Sequence, residues 1–138
     1  MTTEEFIKQL DRFFDREDMN GAGEFLRSTR KEAETNRDDR LLFAVLNEMM
    51  GYYRKTGERK RGLESIESGL SLSSRMRLEG SIAGATADLN AATTLKAFGM
   101  AEQAIPYYEN AKAVYSALLP TYDSRIAGLC NNYALALC

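Results

Sequence analysis

The chain has no histidine. That removes the residue most used as a general base at neutral pH, the usual nitrogen ligand of zinc, and the middle partner of hydrolytic triads. Cysteine is scarce: only Cys130 and Cys138 occur, eight residues apart on what reads as one helix. They stand about 12 Å apart along its axis, too far for a bridge within it. Without histidine they cannot build an ordinary structural zinc site, and two free thiols predict a reducing, cytoplasmic compartment. No run of about 18 apolar residues occurs, so no membrane span is expected. The opening MTTEEFIKQL is acidic and amphipathic, without the basic start and apolar run of a secretory signal. No GxGxxG or phosphate-binding loop is present, and Gly21-Ala22-Gly23 reads as a helix start. A net charge of −2 offers no basic face for nucleic acid. The one basic cluster, Arg54, Lys55, Arg59, Lys60 and Arg61, has acidic neighbours and no fitted aromatic platform. Carboxylate runs such as Asp15-Arg16-Glu17-Asp18 read as solvated turns. Neither an enzyme nor a cofactor- or metal-dependent protein is expected.

Proline is also rare, with two residues, and strand-like alternation is absent, whereas apolar residues recur at three and four. That pattern predicts an all-α chain of about seven helices. They run over residues 3–16, 20–33, 39–56, 58–75, 79–98 and 101–118, and from a cap at Asp123 or Ser124 to the end. Thr3 is expected to cap the first, with Glu4 and Glu5 at the positive end of its dipole. Gly57 and Gly99 stand where helix C-termini favour a left-handed residue. Pro106 falls in the first turns of the sixth helix, where a missing amide costs least. The apolar stripes are Phe6, Leu10, Phe13 and Phe14; Ala22, Phe25 and Leu26; Leu42, Phe43, Leu46, Met49, Met50 and Tyr53; Leu63, Ile66, Leu70 and Leu72; and Ala104, Ile105, Tyr108, Ala111 and Tyr115. Tyr52, Tyr107 and Tyr122 read as core more readily than as surface aromatics. The length of 138 and 44% apolar content suit one domain with a core.

A longer period overlies the helical one. A turn followed by a small residue recurs at Ala22, Gly62 and Ala104, spaced 40 and 42 apart. Leu26, Ile66 and Tyr108 lie four residues after these small residues, and Phe13, Tyr53 and Leu95 nine before them. Self-similarity at such a period signals stacked supersecondary units. Small residues at 62, 69, 104 and 111 let paired helices approach closely, while large ones at 53, 66, 95 and 108 fill the next layer.

The residues carrying this period resemble tetratricopeptide (TPR) repeats. Ala92, Leu95, Gly99, Ala104, Tyr108 and Ala111 match best, then Met50, Tyr53, Gly57, Gly62, Ile66 and Gly69, and then a degenerate Leu10, Phe13, Glu17, Ala22, Leu26 and Thr29. The strings ATTLKAFGMAEQAIPYYENA and LCNNYALAL are similar to the extended repeats of kinesin light chains and their bacterial relatives, with Asn131-Asn132-Tyr133-Ala134 and Pro106 as the shared elements. The resemblance implies a right-handed α-solenoid of stacked antiparallel helix pairs. Its repeats would cover about 3–36, 43–76 and 85–118, with a partial one at 127–138. It implies a non-catalytic scaffold that binds a protein or peptide in a concave groove lined by the first helix of each pair.

Inferred groove positions hold Asn47, Gly51, Arg54 and Lys55; Asn90, Thr93 and Lys96; and Asn131 and Asn132. Asparagine offers donor and acceptor to an extended backbone, and Arg54 and Lys96 suit an acidic side chain or a terminal carboxylate. The alternative role for Asn90 and Asn132 is to tie neighbouring helices together. Ile7 and Asp11 stand where chaperone-binding relatives carry clamp residues, which argues against that particular activity.

Charge thins out along the chain, with 28 charged side chains in residues 1–69 and 10 in residues 70–138. The last helix holds Ile126, Leu129, Cys130, Tyr133, Ala134, Leu135, Ala136, Leu137 and Cys138, with Asp123 and Arg125 its only charges. A helix apolar on most sides needs more than one neighbour. Leu129, Tyr133, Leu135 and Leu137 are therefore expected to meet a second copy, making a homodimer through the C-terminal helix, or other sequence. A homo-oligomerisation or regulatory module is the alternative function.

Overall fold

A computed structural model describes residues 1–137, the side chains of residues 136 and 137 excepted. The described residues form seven α-helices and no strand: α1 (Thr3–Asp15), α2 (Met19–Thr35), α3 (Asp39–Thr56), α4 (Arg59–Arg75), α5 (Ile82–Ala97), α6 (Ala101–Leu118) and α7 (Ser124–Leu137). The cap of α1 is Thr2, not Thr3: its hydroxyl accepts from the Glu5 amide at 3.1 Å. Asp18 and Asp38 cap α2 and α3 in the same way. The expected start of α5 is three residues early. Gly80 has φ +79° and breaks the chain, and Ser81 then caps α5 through the Gly84 amide.

One turn is used five times. Glu17, Arg37, Gly57, Arg77 and Gly99 all have positive φ, between +53° and +79°. The first four are twenty residues apart and the fifth follows after twenty-two. Around each, the next amide reaches back to the last helical turn: Asp18 to Phe13, Asp38 to Ala33, Glu58 to Tyr53, Leu78 to Ser73 and Met100 to Leu95. This is the Schellman closure of a helix end. The structural period is thus one helix and turn, half of the forty-residue period of the small residues. The α6–α7 connection departs from it, with Leu119 extended before Pro120.

Short turns make consecutive helices antiparallel neighbours, and each packs on the next. The odd-numbered helices α1, α3, α5 and α7 also pack on one another in sequence. The backbones of α2 and α4, and of α4 and α6, do not meet. A layer whose members touch beside one whose members splay is the inside of a curve. The odd helices therefore line the inner face and the even ones the outer.

The small positions are the close contacts. Ala22, Ala104 and Ala111 have no exposed surface. A Cβ on Gly62 would lie 2.6 Å from the Phe98 ring, and one on Gly69 2.6 Å from the end of Met50. Phe6, Leu10, Leu26, Leu46, Met49 and Leu72 fill the N-terminal core; Met50, Ile66, Leu95 and Tyr108 the middle; Ala85, Tyr115 and Leu129 the last part. Phe13, Phe14, Phe25, Phe43 and Ile105 are half-buried at the edges. Tyr52 is core, its hydroxyl donating to the Met19 carbonyl at 2.9 Å. Tyr107 is half-buried, but Tyr122 is 89% exposed because it lies in the α6–α7 turn, outside any helix stripe. Among the described residues every buried side-chain nitrogen and oxygen has a hydrogen-bond partner. No described helix is long and apolar enough to cross a membrane.

Candidate functional site

On α3 the inner face carries Ala44, Asn47, Glu48, Gly51, Arg54 and Lys55, the positions that helical periodicity turns away from its buried Leu42, Leu46, Met49 and Tyr53. A Cβ on Gly51 would meet only the Arg54 guanidinium, at 3.6 Å, so the middle of this face is bare backbone.

The seam between α3 and α5 is polar. Asn47 donates to the Phe43 carbonyl one turn back at 2.9 Å, which turns its Oδ1 outward to accept from the Asn90 amide at 2.9 Å. Two turns further along α3, Arg54 donates to the Thr94 hydroxyl at 3.2 Å, and Thr94 donates to the Asn90 carbonyl at 2.8 Å. The seam between α5 and α7 repeats the theme. The Lys96 ammonium donates to Asn132 Oδ1 at 3.0 Å, while the Asn132 amide donates to the Gly128 carbonyl at 3.1 Å. The Tyr108 hydroxyl donates to Thr93 at 3.1 Å from the outer layer.

Five of the residues expected to line the groove, Asn47, Arg54, Asn90, Lys96 and Asn132, thus form a ladder that braces the inner helices, while a sixth, Thr93, is tied to Tyr108 of the outer layer instead. Asn131 is exposed beside them and joins none of these bonds. Thr94, fully buried and central to the ladder, escapes sequence reading. Its only signal is its place one turn after Asn90.

The charges along the ladder are unmatched. Arg54 is half-buried, burial holds its guanidinium below its ordinary pKa, and no described carboxylate pairs with it. Lys96 is half-buried and likewise has no carboxylate partner. Desolvated cations normally have counter-ions. At the opposite seam, between α1 and α3, burial pushes the Glu48 carboxyl upward and the charge of Asp11 adds to this. Lys55 offsets part of it while its ammonium sits 4.9 Å over the Phe14 ring.

Clefts open where the outer helices splay. One of about 590 Å³ between α4 and α6 is walled by Leu63, Ile66, Leu70, Leu95, Pro106 and Tyr107. Its counterpart between α2 and α4 is bridged by Arg30, which donates to both oxygens of Glu64 at 2.9 Å and to Ser68 at 3.4 Å.

At the C-terminal end the expectation needs correction. Leu129 is 1% exposed, and Tyr133 stacks edge-on against Tyr108 at 5.9 Å and donates to Glu109. Both serve the chain's own core because they fall on the α7 face turned to α5 and α6. Leu135 is 57% exposed. The side chain of Leu137, and Cys138, lie outside the described residues. Among the described residues no group of three His, Cys, Asp or Glu side chains is placed to hold a metal. No protein-family model matches the chain, and no curated protein matches its sequence.

Proposed function

We propose that the chain is a non-catalytic scaffold of the tetratricopeptide type that holds an extended protein segment along its inner helices. The observation that carries this reading is Arg54: a half-buried guanidinium with one side-chain hydrogen bond, to Thr94, and no carboxylate partner among the described residues. An acidic side chain or terminal carboxylate above the bare backbone at Gly51 would supply the missing counter-ion, and Lys96 would extend the cationic strip. The asparagine ladder then acts chiefly by holding this strip in place. The ligand is a peptide or protein rather than nucleic acid, and the exposed Cys130 thiol suits the reducing cytoplasm expected from the sequence.

Calorimetry with acidic peptides selected from a peptide array tests this. Arg54→Ala should weaken binding at least tenfold, and Lys96→Ala less, because Lys96 lies further along the strip. Binding that survives joint replacement of Asn47, Arg54, Asn90, Thr93, Lys96, Asn131 and Asn132 would eliminate the groove.

A second reading, self-association through the C-terminal half, is favoured by the exposure of Leu118 (56%), Tyr122 (89%) and Leu135 (57%). Exposed large apolar side chains grouped at one end of a molecule mark interaction surfaces.

A further inference from the structure

We propose that two copies of the chain pair through α7, antiparallel to each other across a twofold axis that passes by Asn131. This deepens the self-association reading and rests on it, because it names the contact and its symmetry. The exposed side of α7 carries Ala127, Gly128, Asn131, Ala134 and Leu135. Its single charge, Arg125, is neutralised by Asp123, which accepts from the guanidinium at 3.0 and 2.9 Å. The opposite end of the molecule differs: α1 exposes Glu4, Glu5, Lys8, Asp11, Arg12 and Asp15. A head-to-tail stack would press those charges onto an uncharged face and strip their water without supplying partners. Tail-to-tail contact brings no charge against another.

The sizes on this face are also complementary under reversal. Four residues to either side of Asn131 stand Ala127 and Leu135; three residues to either side stand Gly128 and Ala134. In an antiparallel pair centred on Asn131, each Leu135 fills the space over the other copy's Ala127. Gly128, above which a Cβ would meet nothing within 4 Å, lies beside that Ala127 and leaves room for the same Leu135 side chain. Asn131 meets its own equivalent, and each side-chain amide offers N–H donors and an acceptor oxygen to exchange. An isologous contact requires such a self-complementary patch. With 14 residues α7 is about 21 Å long. One helix face of that length falls short of the roughly 800 Å² per partner of a standard interface, so the pair should be weak and its population should depend on concentration. It would carry two inner grooves in one particle and so bind a two-site ligand with avidity.

Sedimentation equilibrium of the full chain, from low micromolar concentration upward, should show a monomer–dimer equilibrium that Asn131→Lys abolishes by setting two ammonium groups on the axis. In a Cys130→Ser, Cys138→Ser background, Asn131→Cys should cross-link to itself under mild oxidation. Leu135→Cys should do so only when mixed with Ala127→Cys. Circular dichroism checks that each variant is folded, and if Asn131→Lys unfolds, the cross-links alone decide. A monomer at every concentration would overturn self-association and this geometry together, leaving the face to another helix or protein. A dimer that withstands Asn131→Lys, with no link between position 131 of the two copies, would overturn the geometry and leave self-association standing.

Discussion

Asn90 donates its amide to Asn47 across the α3–α5 seam at 2.9 Å, and Asn47 is aimed at it by its own bond to the Phe43 carbonyl. One side chain is thus preorganised within its helix before it meets the other. Asn90→Ala and Asn47→Ala should each cost about 0.5–1.5 kcal/mol in urea unfolding. The double variant should cost less than the sum, because both remove the same bond. Full additivity would mean that the pair does not couple.

Glycine-to-alanine exchanges should separate close contact from open groove. A Cβ on Gly84 would lie 2.2 Å from the Leu78 carbonyl oxygen, a backbone atom that cannot swing away. Gly84→Ala should therefore destabilise by about 1–3 kcal/mol. At Gly69 the obstacle is the flexible end of Met50, so the loss should be smaller. Gly51, on the open inner face of α3, should gain up to about 1 kcal/mol from the better helix propensity of alanine. Thermal melts of the three variants check the order.

Glycines at 57 and 99 make two of the five repeated turns legible in the sequence, because a left-handed residue favours glycine. Glu17, Arg37 and Arg77 adopt the same conformation with nothing in their chemistry to announce it, so the twenty-residue period of the backbone is hidden. Helix spacing places Asn47, Asn90 and Lys96 on shared faces, but not their partners. Those depend on how far one helix slides along the next, which is set by packing at Gly62, Gly69 and Ala104. For the same reason Thr94 is missed. An apolar pattern on α7 cannot say which side meets the core, and Leu129 and Tyr133 are consumed there.

Those three turns yield a prediction of their own. A side chain in the left-handed region is strained by its Cβ against the following carbonyl. Glycine relieves the strain but loses more backbone entropy on folding, so the net gain is partial. Arg37→Gly and Arg77→Gly should each stabilise by about 0.5–1 kcal/mol, and the two should add, since each closes a different pair of helices. Denaturant midpoints that move down would show that arginine side-chain contacts outweigh the backbone strain.

Two glutamates should respond to pH with opposite signs. Hydrogen bonds from Arg30, and then from Ser68, hold Glu64 below the usual carboxylate range. Its folded pKa is depressed, so its contribution is present above the unfolded value, about 4.3, and is lost as pH falls through the folded value. The side chain is 52% exposed, so Glu64→Gln should cost no more than about 1 kcal/mol at neutral pH. Glu48 is the reverse case. Burial raises it, Asp11 adds to this, and Lys55 only partly opposes them. The folded state therefore holds this proton more tightly than the unfolded chain does. Ionising Glu48 costs stability, fully so above its raised pKa and not at all below the unfolded value. Glu48→Gln should therefore raise the melting temperature at neutral pH, and the gain should fade to nothing below about pH 4. A gain that persists undiminished in acid would trace the effect to packing against α1 rather than to charge.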